Sequence, residues 1–303
     1  METRHRVHAA VVDVHGRVLA QAGDPELVTF WRSGAKPFQA VPLVEDGAAE
    51  RFAITAPELA LCCASHSSEP VQVQYVRDLL AKIGCGEGDL VCGPHPPLSE
   101  RVARDYAAAG VRLTPIFSNC SGNHAGMLAL ACHRGWPVAS YARLEHPVQQ
   151  RCLAAVSQWA GVPIGAIGTA VDGCGVVCFA LPLRNMAWAY AKLAVGLDQR
   201  GSQTPHVVLV EAVLRHPELI AGEGRPCTTM MRAHPGRVVT KVGAGGVYCG
   251  LLTREGLGIA LKVADGSGAA AAIAMATLLA DLGLRPQPDT LMSQRILNTR
   301  GEA

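Results

Sequence analysis

Apolar and polar positions alternate at the front of the chain, change to helical spacing in the middle, and alternate again towards the back. Residues 6–14 are valine-rich and partly alternating, His15-Gly16 supplies a turn, and residues 17–20 return, which predicts a β-hairpin. Spacing of three and four then predicts helices from the Arg32-Ser33-Gly34-Ala35-Lys36 stretch through Leu43, and over 57–63, 71–83 and 99–109. Further helices are predicted from the 116–127 segment to about 133, and over 147–159, 186–195 and 206–220. Pro57 opens one of them and Ser99 caps another. Period two resumes over 238–241, 246–252 and 257–263, with glycine-rich turns between, before a Ser267-capped, alanine-rich helix over 268–284. The tail from Arg285 is polar and proline-bearing, and is read as irregular at first.

Front and back strands can pair in one largely antiparallel sheet, covered by the last helix and the helix that follows Ser33. The expectation is an α+β fold in one domain over 1–303. Its sheet-forming parts are about 1–55 and 235–303, and its mainly helical part is about 56–234. Serine β-lactamase-like folds use this arrangement.

Composition narrows the function classes. Half the 303 residues are hydrophobic (49%), only 17% are charged, and the net charge is +2 without a basic run. Disorder and a nucleic-acid partner are therefore not expected. The longest apolar run, near 269–280, is too short to span a bilayer, so no membrane partner is expected. The N-terminus carries no apolar stretch of the secretory kind. Of eleven cysteines, an odd number in a large chain, most read as reduced and buried, and the expected location is cytoplasmic.

Five polar loops flanked by apolar structure compete for a chemical role: those around Ser33, Ser65, Cys120, Cys174 and Lys241. Ser33 and Lys36 are three apart, nearly one helical turn, so hydroxyl and amine are expected on one side of the helix mouth. A buried lysine can act as base for a serine nucleophile, and Ser-x-x-Lys occurs in β-lactamases and penicillin-binding proteins. The same spacing is also common on solvated helix faces. The Ser65 loop by itself reads as a helix-ending turn. Cys120 and Cys174 each have a nearby glycine and polar neighbours; they suit Zn²⁺, or are simply buried thiols. Lys241 precedes Gly243-Ala244-Gly245-Gly246 beside a strand, where backbone can approach a substrate or merely turn a hairpin. His124 suits a substrate carboxylate or a core hydrogen bond, and Asp172 a cation or an Asx-turn.

Taken together the motifs are more specific. Arg-Ser-x-x-Lys at 32–36, Ala-Ser-His at 64–66, Asn-Cys-Ser-Gly-x-His-Ala-Gly-Met at 119–127, Asp-Gly-Cys-Gly at 172–175, Arg-x-Cys-Thr at 225–228 and Lys-Val-Gly-Ala-x-Gly-Val at 241–247 span nearly the whole chain. Their identity and order resemble the Rhizobium etli-type, thermolabile L-asparaginases, the asparaginase II family. The resemblance implies a β-lactamase/glutaminase-like fold, a homodimer, and hydrolysis of L-asparagine to L-aspartate and ammonia. It implies two Ser–Lys tandems, Ser33 with Lys36 and Ser65 with Lys241. Arg32, Cys120, His124, Asp172 and Cys174 would line the substrate pocket. It also implies zinc held by Cys120, Cys174 and a lysine, and no organic cofactor. The chain departs from that pattern at Asn123, which stands where the lysine is expected. A neutral amide is a poor zinc ligand beside thiolates, so Zn²⁺ on Cys120, Cys174 and waters would be held more weakly.

The expected reaction is acyl transfer: Lys36 deprotonates Ser33, Ser33 attacks the side-chain amide, and Ser65 with Lys241 protonates the departing ammonia. A glutaminase, or a β-lactam or D-Ala-D-Ala hydrolase, is the alternative on the same scaffold. A catalytically silent ligand- or metal-binding protein is the alternative from another class.

Overall fold

The computed structural model describes residues 3–199, 201–284 and 300. The tail read as irregular from Arg285 lies outside the described residues, apart from Arg300. The chain opens with β1 (Val7–Asp13), β2 (Val18–Ala22) and β3 (Val28–Phe30). Two strands, β4 (Gly168–Val171) and β5 (Val177–Pro182), lie in the middle. Three close the fold: β6 (Val238–Gly243), β7 (Val247–Leu252) and β8 (Leu257–Val263). A five-stranded sheet runs β2-β1-β8-β7-β6, every neighbour pair antiparallel. The β1–β8 ladder, from Val7↔Val263 to Asp13↔Leu257, joins the two ends of the chain. That is the α+β plan expected from the alternation at front and back.

The structure adds a second, three-stranded sheet, β3-β5-β4. It was not expected, because β3 and β4 are short and β4 and β5 flank the Asp172-Gly173-Cys174-Gly175 turn, which reads as a loop on glycine content alone. So the middle of the chain is not wholly helical. Pro217 divides the helix expected over 206–220 into Pro205–Arg215 and Pro217–Ile220; proline offers no N–H to continue the ladder.

One expected cover is also different. The last helix, Gly268–Asp281, does lie on the sheet: a Cβ on Gly250 of β7 would meet Met275 Sδ at 3.5 Å. The opposite face is covered by Leu183–Lys192, not by the helix after Ser33. That helix, Lys36–Glu45, packs mainly among Ser121–Arg134, Pro147–Ala160 and Pro205–Arg215. Gly258 of β8 explains the closeness of Leu183–Lys192, since a Cβ there would fall 1.8 Å from the Ala187 carbonyl oxygen. Backbone meets backbone at that point, and no rotamer change relieves it. Gly258→Ala is therefore expected to destabilise the fold by about 3 kcal/mol or more, read as a lower urea midpoint at unchanged slope; a midpoint within error of the parent would refute this packing.

Candidate active site

Arg32–Ala35 forms a 3-10 turn, and the α-helix proper begins at Lys36, with Pro37 in its first turn where the missing N–H costs nothing. Arg32 has a φ of 53°, a left-handed conformation rare for a side-chain-bearing residue. The chain can hold it because Trp31, fully buried, is pinned on both sides. Its N–H donates to the Phe179 carbonyl at 2.8 Å, and its indole Nε1 to Cys249 Sγ at 3.2 Å. Strain held beside a nucleophile candidate is the pattern found at functional sites.

Lys36 is buried, and its amine donates to the Ala64 carbonyl at 2.5 Å, to Ser65 Oγ at 3.3 Å and to Cys120 Sγ at 3.2 Å. Lys241, also buried, donates from β6 to Ser65 Oγ at 2.7 Å and to the Val242 carbonyl at 2.9 Å. Ser65 thus stands between two amines. The Lys36 backbone N–H donates to the Ser33 carbonyl, but among the described residues no side-chain hydrogen bond joins the Ser33 hydroxyl to the Lys36 amine. The 3-10 turn changes the projection that an α-turn would have given, and the amine of Lys36 is committed elsewhere.

The 63–69 segment carries Ser65 because its backbone N–H groups and its hydroxyls are all met. Ser65 N–H donates to Ile220 O at 2.9 Å and His66 N–H to Asn119 O at 3.1 Å. The hydroxyls of Ser67 and Ser68 donate to Ala221 O and Phe117 O, and Arg225 reaches Ser67 at 3.0 Å. A plain exposed turn would need none of this; a buried one requires it. Gly122 lets the neighbouring helices close up, since a Cβ there would lie 2.5 Å from Leu61 O. That contact brings the Cys120 end of Ser121–Arg134 against the segment bearing Ser65.

Electrostatics follow from burial. Desolvation, helped by the nearby charge of Lys36, lowers the Lys241 amine to about 7. The hydrogen bond from the Cys174 thiol, with the charge and hydrogen bond of Lys36, draws Cys120 down to about 5 against the effect of burial. The Cys174 thiol is pushed up in return, first by that same bond to Cys120. The pair is therefore driven apart, Cys120 towards its thiolate and Cys174 towards its thiol. His124 is lowered to about 3 by burial and by Lys36, so its ring is neutral. The Tyr141 hydroxyl oxygen accepts the Val91 N–H at 3.2 Å, and its hydrogen is free to go to His124 Nδ1 at 2.6 Å. Nε2 of His124 then carries a hydrogen, and it is buried with no hydrogen-bond partner among the described residues.

Ser33, Arg32, Cys120, Asp172, Cys174 and Ala244 line one cavity of about 290 Å³ together with Gly93, His95, Leu98 and Asn119. Asp172 is held at its rim by Arg32, at 2.6 and 2.8 Å. Ser65, Lys36 and Lys241 do not line that cavity; they lie beneath it, reached through Cys120. His124 lies one helical turn beyond Cys120 and on the same helix face, its N–H bonded to the Cys120 carbonyl at 3.0 Å. His95 and Tyr141 were not singled out from the sequence. Only the crowded Gly93-Pro94-His95-Pro96-Pro97 loop hinted at the first, and nothing local marked the second.

The zinc site implied by the resemblance is not completed by these residues. Asn123 turns its amide nitrogen to the Cys62 carbonyl at 3.2 Å, and among the described residues no three His, Cys, Asp or Glu side chains gather as ligands. Beside the two sulfurs stands the amine of Lys36, already donating to Cys120. A structural zinc needs four donors, and this set falls short.

The family model for L-asparaginase II matches residues 1–303, the whole chain. The protein belongs to the L-asparaginase II family. No curated protein matches the chain at a significant level. Among solved structures, this L-asparaginase II family member shares its fold with Mglu, at a TM-score of 0.52 and 17% identity, over 97% of this chain and 69% of that one. Weaker likenesses join it to the octameric penicillin-binding protein homologue from Pyrococcus abyssi and to a beta-lactamase from Mycobacterium bovis. The first has a TM-score of 0.45 and 13% identity over 93% and 74% of the two chains; the second, 0.43 and 15% over 92% and 95%. Among the described residues no helix is long and apolar enough to cross a membrane, and the eleven cysteines are free.

Proposed function

We propose that this family member is an L-asparaginase that hydrolyses L-asparagine to L-aspartate and ammonia, with Ser33 as nucleophile. The observation that carries the reading is the run of contacts Lys36–Ser65–Lys241 beneath a cavity that Ser33 lines. Two ammonium groups that close, in a dry interior, repel each other, and the amine of Lys241 is half neutral near pH 7. Neutral Lys241 accepts the Ser65 proton while Ser65 accepts one from Lys36. The result is a charged Lys241, an unchanged Ser65 and a neutral Lys36. The charge has moved away from the nucleophile and left a base one helical turn from it.

Lys36 then takes the Ser33 proton as Ser33 Oγ bonds to the amide carbon. Its contact with Ser33 forms when substrate is bound, since catalytic hydrogen bonds tighten in the complex. Backbone N–H groups at the helix mouth hold the oxyanion. The tetrahedral adduct collapses: the C–N bond breaks, nitrogen receives the proton from Lys36, and ammonia leaves. Water attacks the Ser33 ester, Lys36 takes its proton and returns it to Ser33, and aspartate is released. Arg32 and Asp172 at the rim match the carboxylate and ammonium of an amino acid.

Purified protein is expected to release ammonia from asparagine at a rate that a metal chelator leaves within about twofold, because no step passes through a metal. Glutamine and a chromogenic β-lactam are the comparison substrates, and faster turnover of either would move the substrate assignment. Asparagine that raises the melting temperature without releasing ammonia would identify a silent binding protein instead.

A further inference from the structure

The loop over residues 90–98 belongs to no motif, yet Gly93, His95 and Leu98 form one wall of the cavity. Its histidine is half-buried and its hydrogen bonds are unusually constrained. His95 Nδ1 lies 2.7 Å from the Pro96 carbonyl, which only accepts, so Nδ1 carries the hydrogen. Nε2 is then an acceptor, and the Asn119 backbone N–H donates to it at 3.0 Å.

One atom of the Asn119 carboxamide also lies 2.9 Å from Nε2 and 3.2 Å from Cys120 Sγ. Placed as oxygen, that atom would face the lone pair of a neutral ring. Turned over, the amide puts its NH₂ there, and one hydrogen goes to Nε2 while the other goes to the sulfur. Which end of an amide faces which partner is decided by its hydrogen-bond network, and this network favours the turned form. The backbone of Asn119 completes the link, because its carbonyl receives the N–H of His66, next to Ser65. The loop is tied down at two more points: Val91 N–H to the Tyr141 hydroxyl, and Cys92 Sγ to Pro115 O at 3.5 Å.

We infer that His95 is a positioning residue of this site: by holding Asn119 at both backbone and side chain, it keeps Cys120 and the Ser65 segment in register and fixes the wall against which substrate is seated. Its kinetic consequence rests on the amide-hydrolase reading; its effect on Cys120 does not.

The test uses His95→Ala, His95→Asn and His95→Gln in the full chain. Asparagine extends only as far as Nδ1, whereas glutamine carries its amide to about the position of Nε2. Ala and Asn are expected to raise KM for asparagine about tenfold or more, with kcat changed by less than about threefold. They are also expected to speed alkylation of Cys120 by iodoacetamide several-fold, followed by peptide mass mapping with Cys85 as internal reference. Gln is expected to return both readouts most of the way, with melting temperatures alike across the set. Rescue by Asn but not Gln would assign His95 to its bond with Pro96 and overturn the proposal. So would wild-type KM and alkylation in all three variants, or losses that simply track a lowered melting temperature. If the parent protein releases no ammonia from asparagine, the functional reading fails, and the alkylation rates still decide the role of His95.

Discussion

Ser33→Ala is expected to remove ammonia release from asparagine by a factor on the order of 10³ to 10⁶, the range seen when an acyl-forming nucleophile is deleted. The substitution takes away one oxygen at a half-buried position that lines the cavity, in a turn held by the backbone rather than by that hydroxyl. Folding and asparagine binding should therefore survive, shown by an unchanged melting temperature and a preserved shift with substrate. Ser65→Ala is the matched comparison. Ser65 is 3% exposed, off the cavity, and in contact with both lysines, so its loss should slow proton transfer without removing the acyl intermediate. A fall of about 10² to 10³ is expected there. Trapping and mass mapping of the acyl-enzyme separates the two roles: the adduct should sit on the peptide containing Ser33. An adduct on Ser65, with Ser33→Ala still active, would reverse the assignment and make Lys241 the base.

Lys241→Met is expected to cost activity and to raise stability at the same pH. Lys241 is 1% exposed, and burial together with Lys36 lowers its amine to about 7 from an ordinary 10.5. The unfolded chain therefore binds more protons than the folded one between about pH 7 and 10.5. Stability from this group rises with pH across that window, and below it the full penalty remains. The shift corresponds to a penalty on the order of 5 kcal/mol near neutrality. Methionine, of similar volume, removes the penalty but leaves Ser65 Oγ with one donor fewer, which takes back about 1–2 kcal/mol. A net gain on the order of 3 kcal/mol at pH 7 should appear as a higher denaturant midpoint, narrowing towards pH 10. A midpoint that drops at pH 7 would show that the amine is well solvated or fully paired.

The catalytic half of that prediction has a pH signature. With both amines charged there is no acceptor for the Ser65 proton, so parent kcat/KM should fall about tenfold per unit below pH 7 and level off above it. Lys241→Met should lose on the order of 10² to 10⁴ in rate and lose that inflection. A parent profile flat from pH 6 to 8 would remove Lys241 from the proton path.

Much of this molecule was legible in the order of its residues. Partial alternation in 6–14 and alternation in 257–263, with the helical spacing between, are local signals, and they sufficed to put front and back strands in one antiparallel sheet; that β1 lies beside β8 came from the structure. Motif identity and order sufficed for the family. Local signals failed where partners are distant. β3, β4 and β5 are strands because they pair with one another, not because three to six residues prefer extension strongly. The sheet cover went to Leu183–Lys192 because Gly258 leaves room for it there. Asn119 and His95 reach Cys120 and Ser65 through contacts between segments 24 and more residues apart, and no spacing rule encodes such contacts.

Residue order alone was enough for the α+β plan, for the family, and for naming the side chains proposed to carry acyl chemistry. Periodicity and residue identity are properties of neighbouring positions, and they survive without coordinates. Which of those side chains touch came from the folded arrangement. It gave the amine of Lys36 to Ser65 and Cys120 rather than to Ser33, spent the Asn123 amide on Cys62, and buried Lys241 deeply enough to free its proton near neutrality. The reason is dielectric and geometric at once: an amine's partner and its charge are set by what surrounds it in the folded interior, and that surrounding comes from every part of the chain.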